Sequence, residues 1–250
     1  MDWGFTAALP QPVSMPVCAC LWRNKKMSEL RTLSEIIHEE VKLNFIEPNL
    51  YSVYPIGETP GVFDSMGAST IYDLVACNRI YNWLMWGYST KDYATLCEDM
   101  LSSSSEGWVL DLACGSLAFT AENYANISNR PVVFLDQPLK LLIKGKSRLE
   151  KLNGKIAENM FFLHADALKL PFKDNVFHTV ISLNLLHCID DVKTALSEIK
   201  RVLTDGGKLA ITTLVQSSRW SNRYLNVLAG SGALISRNPD ELLYNNMTLI

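Results

Sequence analysis

Nowhere along these 250 residues does an apolar run approach the roughly 20 residues that a membrane-spanning helix needs, so no bilayer span is expected. The start lacks a basic stretch followed by an unbroken apolar core. Asp2, Pro10, Pro12 and Pro16 interrupt the first 22 residues, which argues against a secretory signal. Dense basic blocks are missing as well. The cluster from Arg23 to Arg31 is small and the net charge is −3, so nucleic acid is not the expected partner. The six cysteines, at 18, 20, 77, 97, 114 and 188, contain no C-x-x-C pair. Cys18-x-Cys20 alone falls short of a zinc site, and six thiols over this length make no disulfide framework. No metal centre is expected, and a reduced, cytoplasmic setting fits. The glycine fingerprint G-x-G-x-x-G is also absent, which disfavours a dinucleotide-dependent oxidoreductase.

What is present suffices for a large core: 48% of residues are apolar and 20% charged, and the length suits one large α/β domain with an added cap. The chain is organised around Gly107 to Thr120, GWVLDLACGSLAFT. An apolar run, Trp108-Val109-Leu110, stops at Asp111; the small residues Ala113, Cys114, Gly115 and Ser116 follow, then the helix-compatible Leu117-Ala118-Phe119. This is the pattern of a buried strand turning tightly into a helix, the first βα turn of an open sheet. Such turns lie outside the carboxyl ends of the strands, where ligands bind. Small residues let a ligand approach the backbone, and the following helix presents free N–H groups.

Strand-like runs recur at Trp108–Leu112, Val132–Leu135, Met160–His164, Val176–Leu183 and Lys208–Leu214, with helical patterns at about 117–126, 138–152 and 190–203. The fourth strand is preceded only by the loop Ala167–Asn175. The alternation predicts a Rossmann-like, doubly wound parallel sheet in three αβα layers. Before it, residues 1–27 show no period and read as an arm. From Ser28 a stripe of Leu30, Leu33, Ile37 and Val41 opposes Arg31, Glu35, Glu39 and Lys42, which predicts an amphipathic helix ending before Pro48. A Pro/Gly-rich loop from Pro48 to Gly61 comes next, then two helices at about Ser69–Trp86 and Lys91–Leu101. The serine run Ser102–Ser105 marks a linker, so residues 1–104 are read as an arm and helical cap and 105–250 as the sheet domain.

Three acids end three successive strands: Asp111, Asp136 and Asp166. At its position Asp136 can accept both hydroxyls of a ribose. Asp166, beside the backbone N–H of Ala167, can pair with an adenine edge, and Ser182 and Asn184 end the fourth strand on the same crevice. Acids where a dinucleotide site would show glycines describe a pocket for an adenosine-bearing molecule without phosphate.

With these residues in place, VLDLACGS, the strand end at Asp136, ADALKLPF and EIKRVLTDGGKLAI (Glu198 to Ile211) resemble class I S-adenosylmethionine-dependent methyltransferases. Order and spacing are similar to the small-molecule branch typified by the ubiquinone/menaquinone-biosynthesis methyltransferases, over about 105–215. A fainter similarity runs from Tyr72-Asp73 through Asn82, Trp86 and Gly87. The resemblance implies S-adenosylmethionine as cofactor, S-adenosylhomocysteine as product and a small-molecule acceptor. It places Ala113, Cys114, Gly115 and Ser116 along the methionine part of the cofactor, Asp136 on the ribose, Gln137 beside the adenine, Asp166 and Ala167 on the adenine edge, and Ser182 and Asn184 near the sulfur.

The chain departs from that pattern in several places. Leu117 stands where the family has a glycine close to the cofactor, Asp205 replaces a proline before Gly206-Gly207, and His178 replaces a common acid. The two further strands that close the family's sheet are not apparent, since only 35 residues follow Val215. A fifth strand left bare, with Ala210, Ile211 and Leu214, would pair with a second copy or a partner chain. Methyl transfer needs a base only for a protonated acceptor, and His187, three residues past Asn184, is the candidate. The aromatic set Tyr72, Tyr81, Trp83, Trp86, Tyr88 and Tyr93 reads as a lid over a small, apolar or aromatic acceptor. The rival expectation is a cofactor-binding but inactive relative serving as a partner or regulatory subunit, on the strength of Leu117 and the short C-terminus.

Overall fold

The computed structural model describes residues 32–55, 57, 90–103, 106–127 and 130–213. The arm 1–27, the helix expected at Ser69–Trp86 with most of the aromatic lid set, and residues 214–250 lie outside the described residues.

Among the described residues seven strands form one sheet: β1 (Asn44–Glu47), β2 (Leu50–Ser52), β3 (Trp108–Leu112), β4 (Val132–Asp136), β5 (Met160–His164), β6 (Phe177–Leu183) and β7 (Leu203–Thr212). Their order is β1-β2-β5-β4-β3-β6-β7, with only β1 antiparallel to its neighbour. The helices are α1 (Lys91–Ser102), α2 (Ala121–Ala125), α3 (Leu139–Asn153) and α4 (Val192–Val202). The Rossmann-like doubly wound sheet is therefore observed, and its central strands are apolar on both faces because both are covered. Val109, Val132, Phe134, Phe162 and Ile181 pack on one side with Cys97 of α1, Tyr124 of α2 and Leu142 and Leu149 of α3. Leu110, Leu112, Val133, Leu135, Phe161, Leu163 and Val180 pack on the other with Ile199 and Val202 of α4. Among the described residues no helix is long and apolar enough to cross a membrane.

Local chemistry sets the helix ends. Asp191 caps α4, its carboxylate accepting from Thr194 N at 2.9 Å, while Lys200 and Arg201 lie in the last turn. Gly154, at φ 75°, ends α3 in the left-handed conformation that a C-terminal cap requires.

One expectation is corrected. The helix read from Ser28 to Pro48 is helical only over residues 32–36 within the described chain, and Asn44–Ser52 is a β-hairpin. Pro48 and Asn49 form its turn, with Asn49 at φ 63°, the left-handed second position of a Pro-initiated turn. Part of the expected Pro48–Gly61 loop is thus strand. The apolar stripe was real but short. Leu33, Ile36 and Ile37 are buried against the sheet face where the β5-to-β6 connection lacks a helix. Backbone bonds from His38 N to Pro171 O (3.0 Å) and Lys173 N to Ile36 O (2.9 Å) fasten them there.

That connection, Ala167 to Asn175, is held from below by Arg201. Its guanidinium donates to Glu198 Oε1 (2.7 Å), Asp174 Oδ1 (2.8 Å), Phe172 O (2.6 Å) and Leu170 O (3.0 Å), while Glu198 accepts from Leu170 N (2.8 Å). These partners pull the guanidinium's pKa upward and the Glu198 carboxyl's downward. Arg201→Ala is expected to cost about 2 kcal/mol in urea unfolding, discounted for partial solvent exposure. Arg201→Lys should not recover it, because an ammonium lacks the planar fork. Full recovery by lysine would show that charge alone was at work.

At the far edge, β7 begins at Leu203 rather than Lys208, and Thr204–Gly207 bulge out between the Phe177–Leu203 and Thr179–Lys208 pairs. Among the described residues β7 is the outer strand on that side.

Candidate functional site

The chain leaves β3 towards α2 on one face of the sheet and leaves β6 towards α4 on the other. Two neighbouring parallel strands whose connections part in this way open a crevice at their carboxyl ends. A cleft partly open to solvent lies there. Its walls are Ala113 and Gly115 after β3; Leu135, Asp136, Gln137, Pro138 and Leu141 from β4 into α3; Asp166 and Ala167 after β5; and Leu183, Asn184, Leu185, Cys188 and Ile189 after β6.

The turn after β3 is built on alternating left-handed residues: Ala113 (φ 59°), Gly115 (φ 57°) and Leu117 (φ 53°). Cys114 N donates to Leu135 O at 3.1 Å and Gly115 N to Asp136 Oδ2 at 2.6 Å, which straps the turn to the end of β4. Asp136 Oδ1 accepts from Gln137 N at 2.8 Å. The carboxylate thus borders the cleft with its orientation fixed by two backbone donors.

Leu117 does adopt the angle that a glycine would have taken, but its side chain turns inward. It is 1% exposed, packs in the α2–α3 core and is absent from the cleft wall. The space for it comes from Gly145 of α3, where an added Cβ would sit 3.3 Å from Leu117 Cγ. Left-handed strain of about 1–2 kcal/mol is offset by about 1.5–3 kcal/mol from burying the side chain.

The remaining expected residues divide into two groups. Gly115, Ala113, Asp136, Gln137, Asp166, Ala167 and Asn184 share the cleft wall. Asp166 Oδ1 accepts from Leu168 N at 2.8 Å, a turn contact that leaves its other oxygen uncommitted by that bond. Asn184, at φ 64°, is clipped on two sides. Its amide meets the Tyr93 hydroxyl of α1 (Nδ2 at 2.8 Å, Oδ1 at 3.1 Å), and its N–H donates to Thr212 O at 2.9 Å. Tyr93 in turn stacks on Phe119, ring centroids 5.5 Å apart, so α1 bridges the two loops flanking the crevice.

Asp111, Cys114, Ser116, Ser182 and His187 are not on the wall. Asp111 is 2% exposed and lies beneath the turn on the side of Tyr124 and Cys97; Oδ1 has no hydrogen bond. Burial, with the nearby Asp136 charge adding, pushes its carboxyl up to about 7, against the lowering effect of Tyr124. Ser116 is buried, with Arg148 on its carbonyl and, at 3.1 Å, on its hydroxyl. Burial raises the Cys114 thiol. Ser182 is fully buried and its hydroxyl has no partner. His187 is half-buried on a short 3₁₀ turn, Nδ1 3.4 Å from Thr213 Oγ1, and burial lowers its pKa.

Sequence reading missed the apolar wall of Leu135, Pro138, Leu141, Leu183, Leu185 and Ile189, together with Cys188, whose thiol burial holds at about 11. Pro138 and Leu141 were findable, as the first turn of a helix whose strand ends in the ribose-type acid.

Comparison with known proteins adds independent information. A methyltransferase-domain family model matches residues 110–211. Over 194 residues the chain is 26% identical to the ubiquinone/menaquinone biosynthesis C-methyltransferase UbiE of Paracoccus denitrificans, covering 75% of this chain and 74% of that protein. It is 30% identical over 184 residues to the demethylmenaquinone methyltransferase of Paenarthrobacter aurescens, covering 70% and 68%. The structure of Haemonchus contortus phosphoethanolamine N-methyltransferase 2, with phosphomonomethylethanolamine and S-adenosylhomocysteine, superposes with a TM-score of 0.53 at 18% identity, over 73% of this chain and 41% of that one. At that identity the likeness concerns the fold alone.

Proposed function

Since this chain belongs to the S-adenosylmethionine-dependent methyltransferases, in the branch of the ubiquinone/menaquinone-biosynthesis enzymes, we propose that it methylates a small, apolar or aromatic acceptor at the mouth of the β3–β6 cleft. The observation that carries the reading is the Asp136 carboxylate, held by Gly115 N and Gln137 N on the wall of that cleft.

The residues fit the cofactor. A carboxylate on the cleft wall suits a vicinal diol and would repel a phosphate. Gly115 leaves the turn without a side chain, so a methionine chain can lie along Ala113 and Gly115. The apolar run Leu135, Pro138 and Leu141 suits an adenine face, with Asp166 and Ala167 at its edge. When bound, S-adenosylmethionine supplies a methyl group already activated as a sulfonium. The chain's own contribution is then alignment and exclusion of water. Asn184, fixed by Tyr93 and Thr212, would hold its amide at the sulfur end, and Leu183, Leu185 and Ile189 would keep that end dry. His187 is the candidate to take a proton from a protonated acceptor. Its depressed pKa keeps the imidazole neutral at pH 7, the form a base needs. The names of the two relatives make a demethylated quinol the first acceptor to assay.

The inward packing of Leu117 removes one of the two grounds for an inactive partner subunit and so favours an enzyme. The division at residue 104 is kept for the cap, while the hairpin Asn44–Ser52 is grouped with the cofactor core it pairs with.

The test has two stages. Calorimetry is expected to show S-adenosylhomocysteine binding in the micromolar range, and radiolabelled methyl transfer is then scored against a panel led by demethylated quinols. Absence of S-adenosylhomocysteine binding at millimolar concentration would end the cofactor reading. Binding with no transfer to any panel member would return the inactive-subunit reading.

A further inference from the structure

α3 begins at the cleft, where Leu141 lines the wall, and then runs back behind the turn that follows β3. Leu141, Leu142, Gly145 and Leu149 are its buried stripe, and Leu142 and Leu149 share a core with Leu117. Half-buried Arg148 lies three residues beyond Gly145, on the same side of the helix.

Two of these positions meet the turn. At Gly145 the helix comes so close that an added Cβ would sit 3.3 Å from Gly115 O, 3.3 Å from Leu117 Cγ and 3.4 Å from the Ser116 carbonyl carbon. One helical turn further on, Arg148 Nη1 donates to Ser116 O and, at 3.1 Å, to Ser116 Oγ. Ser116 is 3% exposed, so this charged donor acts with little competition from water.

The turn needs support from outside. Ala113 (φ 59°) and Leu117 (φ 53°) both hold left-handed angles that a residue with a Cβ resists. From the β4 side, Leu135 O and Asp136 Oδ2 tie residues 114 and 115. From the α3 side, Gly145 and Arg148 meet residues 115 to 117. The turn is thus held between a strand end and a helix, and Ala113 and Gly115 are its contribution to the cleft wall.

We infer that Arg148 is a positioning residue for the amino-acid arm of the cofactor, acting through the Ser116 carbonyl, with Gly145 as the close contact that makes α3 the back of the turn. The inference rests on the cofactor reading above, which lays that arm along Ala113 and Gly115. Neither Arg148 nor Ser116 lines the cleft; together they set the path of the backbone that does. A turn with two strained residues has relaxed alternatives, and affinity falls by the fraction of molecules that leave the binding-competent shape. Arg148 keeps that fraction small. The ribose and adenine ends are independent of it, because Asp136 retains its bond from Gln137 N and Asp166 follows β5.

Calorimetry on the full chain with two probes tests this. S-adenosylhomocysteine carries the arm, whereas 5′-methylthioadenosine keeps adenine, ribose and sulfur without it. Arg148→Met preserves most of the aliphatic stem and removes the donor. It is expected to weaken S-adenosylhomocysteine about tenfold, as for a competent fraction cut to about a tenth, and to leave 5′-methylthioadenosine within about twofold of wild type. Gly145→Ala presses on the turn from the same side while favouring the helix itself, so it should show the same split between probes without loss of the fold. An unchanged S-adenosylhomocysteine affinity in Arg148→Met, or equal losses for the two probes in either variant, would overturn the role of Arg148 and leave the cofactor reading intact. A wild-type protein that ignores both probes would overturn both.

Discussion

Asp136→Ala is expected to weaken S-adenosylhomocysteine binding by about a hundredfold or more. A carboxylate bridging two ribose hydroxyls makes two charge-assisted hydrogen bonds, each worth about 1.5–3 kcal/mol, and each 1.4 kcal/mol is a factor of ten. The structure adds a second source of loss. Gly115 N donates to Asp136 Oδ2 at 2.6 Å, so alanine also unties the turn after β3 that should carry the methionine part. The two sources separate in Asp136→Asn. Its amide oxygen can still accept from Gly115 N, so the turn stays strapped, while the amide nitrogen then faces Gln137 N and that bond is lost with the charge; about a tenfold loss is expected. Calorimetry on both variants, with thermal melts of the ligand-free proteins, distinguishes them: alanine, which loses both backbone bonds, should lower the melting midpoint more than asparagine, which loses one. An unchanged Kd for Asp136→Ala would remove the ribose from this end of the cleft, and with it the direction in which the cofactor has been laid.

How much of this site was legible in the sequence depends on the range of the interaction that fixes each part. The β3 turn, Asp136 and Asp166 were readable because each is a local pattern, an apolar run ending in an acid. The strand limits at Trp108–Leu112 and Met160–His164 coincide with the structure for the same reason. Leu117 was identified as a departure, but its consequence was not. Whether a left-handed leucine blocks a cleft or fills a core depends on Gly145, 28 residues further on and in contact only through the packing of α3. The hairpin was misread because Leu33, Ile37 and Val41 satisfy a helical period as far as the segment that switches to strand. The signals against a long helix were present, in Pro48-Asn49 between Asn44–Glu47 and Leu50–Ser52. A two-residue turn with an asparagine able to take positive φ competes with a helix C-terminus for the same letters, and the exposed edge of β5 decided it. Tyr93 was invisible as a site residue, since its role comes from α1 lying across two loops.

The second large effect concerns Asp111, which should be a burden on the ligand-free fold. It sits between Phe134 of β4 and Ile181 of β6 in mid-sheet, 2% exposed, with Oδ1 lacking a hydrogen bond. Burial is the main reason its carboxyl rises from 3.8 to about 7, with the Asp136 charge behind it. Of its neighbours, the Cys97 thiol is held at about 12 and the Tyr124 phenol is raised well above its usual value, so neither titrates in that window. Well below pH 4 both the folded and unfolded carboxyls are protonated and Asp111 costs nothing. As pH rises from about 4 to 7 the unfolded chain ionises while the folded carboxyl stays protonated, so stability falls; above 7 the deficit is constant. A shift of this size corresponds to a deficit on the order of 4 kcal/mol at pH 8. Asp111→Asn keeps the shape without the charge. It is therefore expected to raise the melting midpoint at pH 8, to leave it nearly unchanged at pH 4, and to flatten the slope between them. Parallel pH profiles for the two proteins, or a less stable variant at pH 8, would show that the carboxylate is not strained. The same substitution should weaken S-adenosylhomocysteine binding, because the α-amino group of that ligand is cationic and the turn above Asp111 is where it would lie. A residue that destabilises the free protein and strengthens the complex is stabilised by binding itself, which would make the first strand's acid a part of the site even though it never reaches the cleft surface.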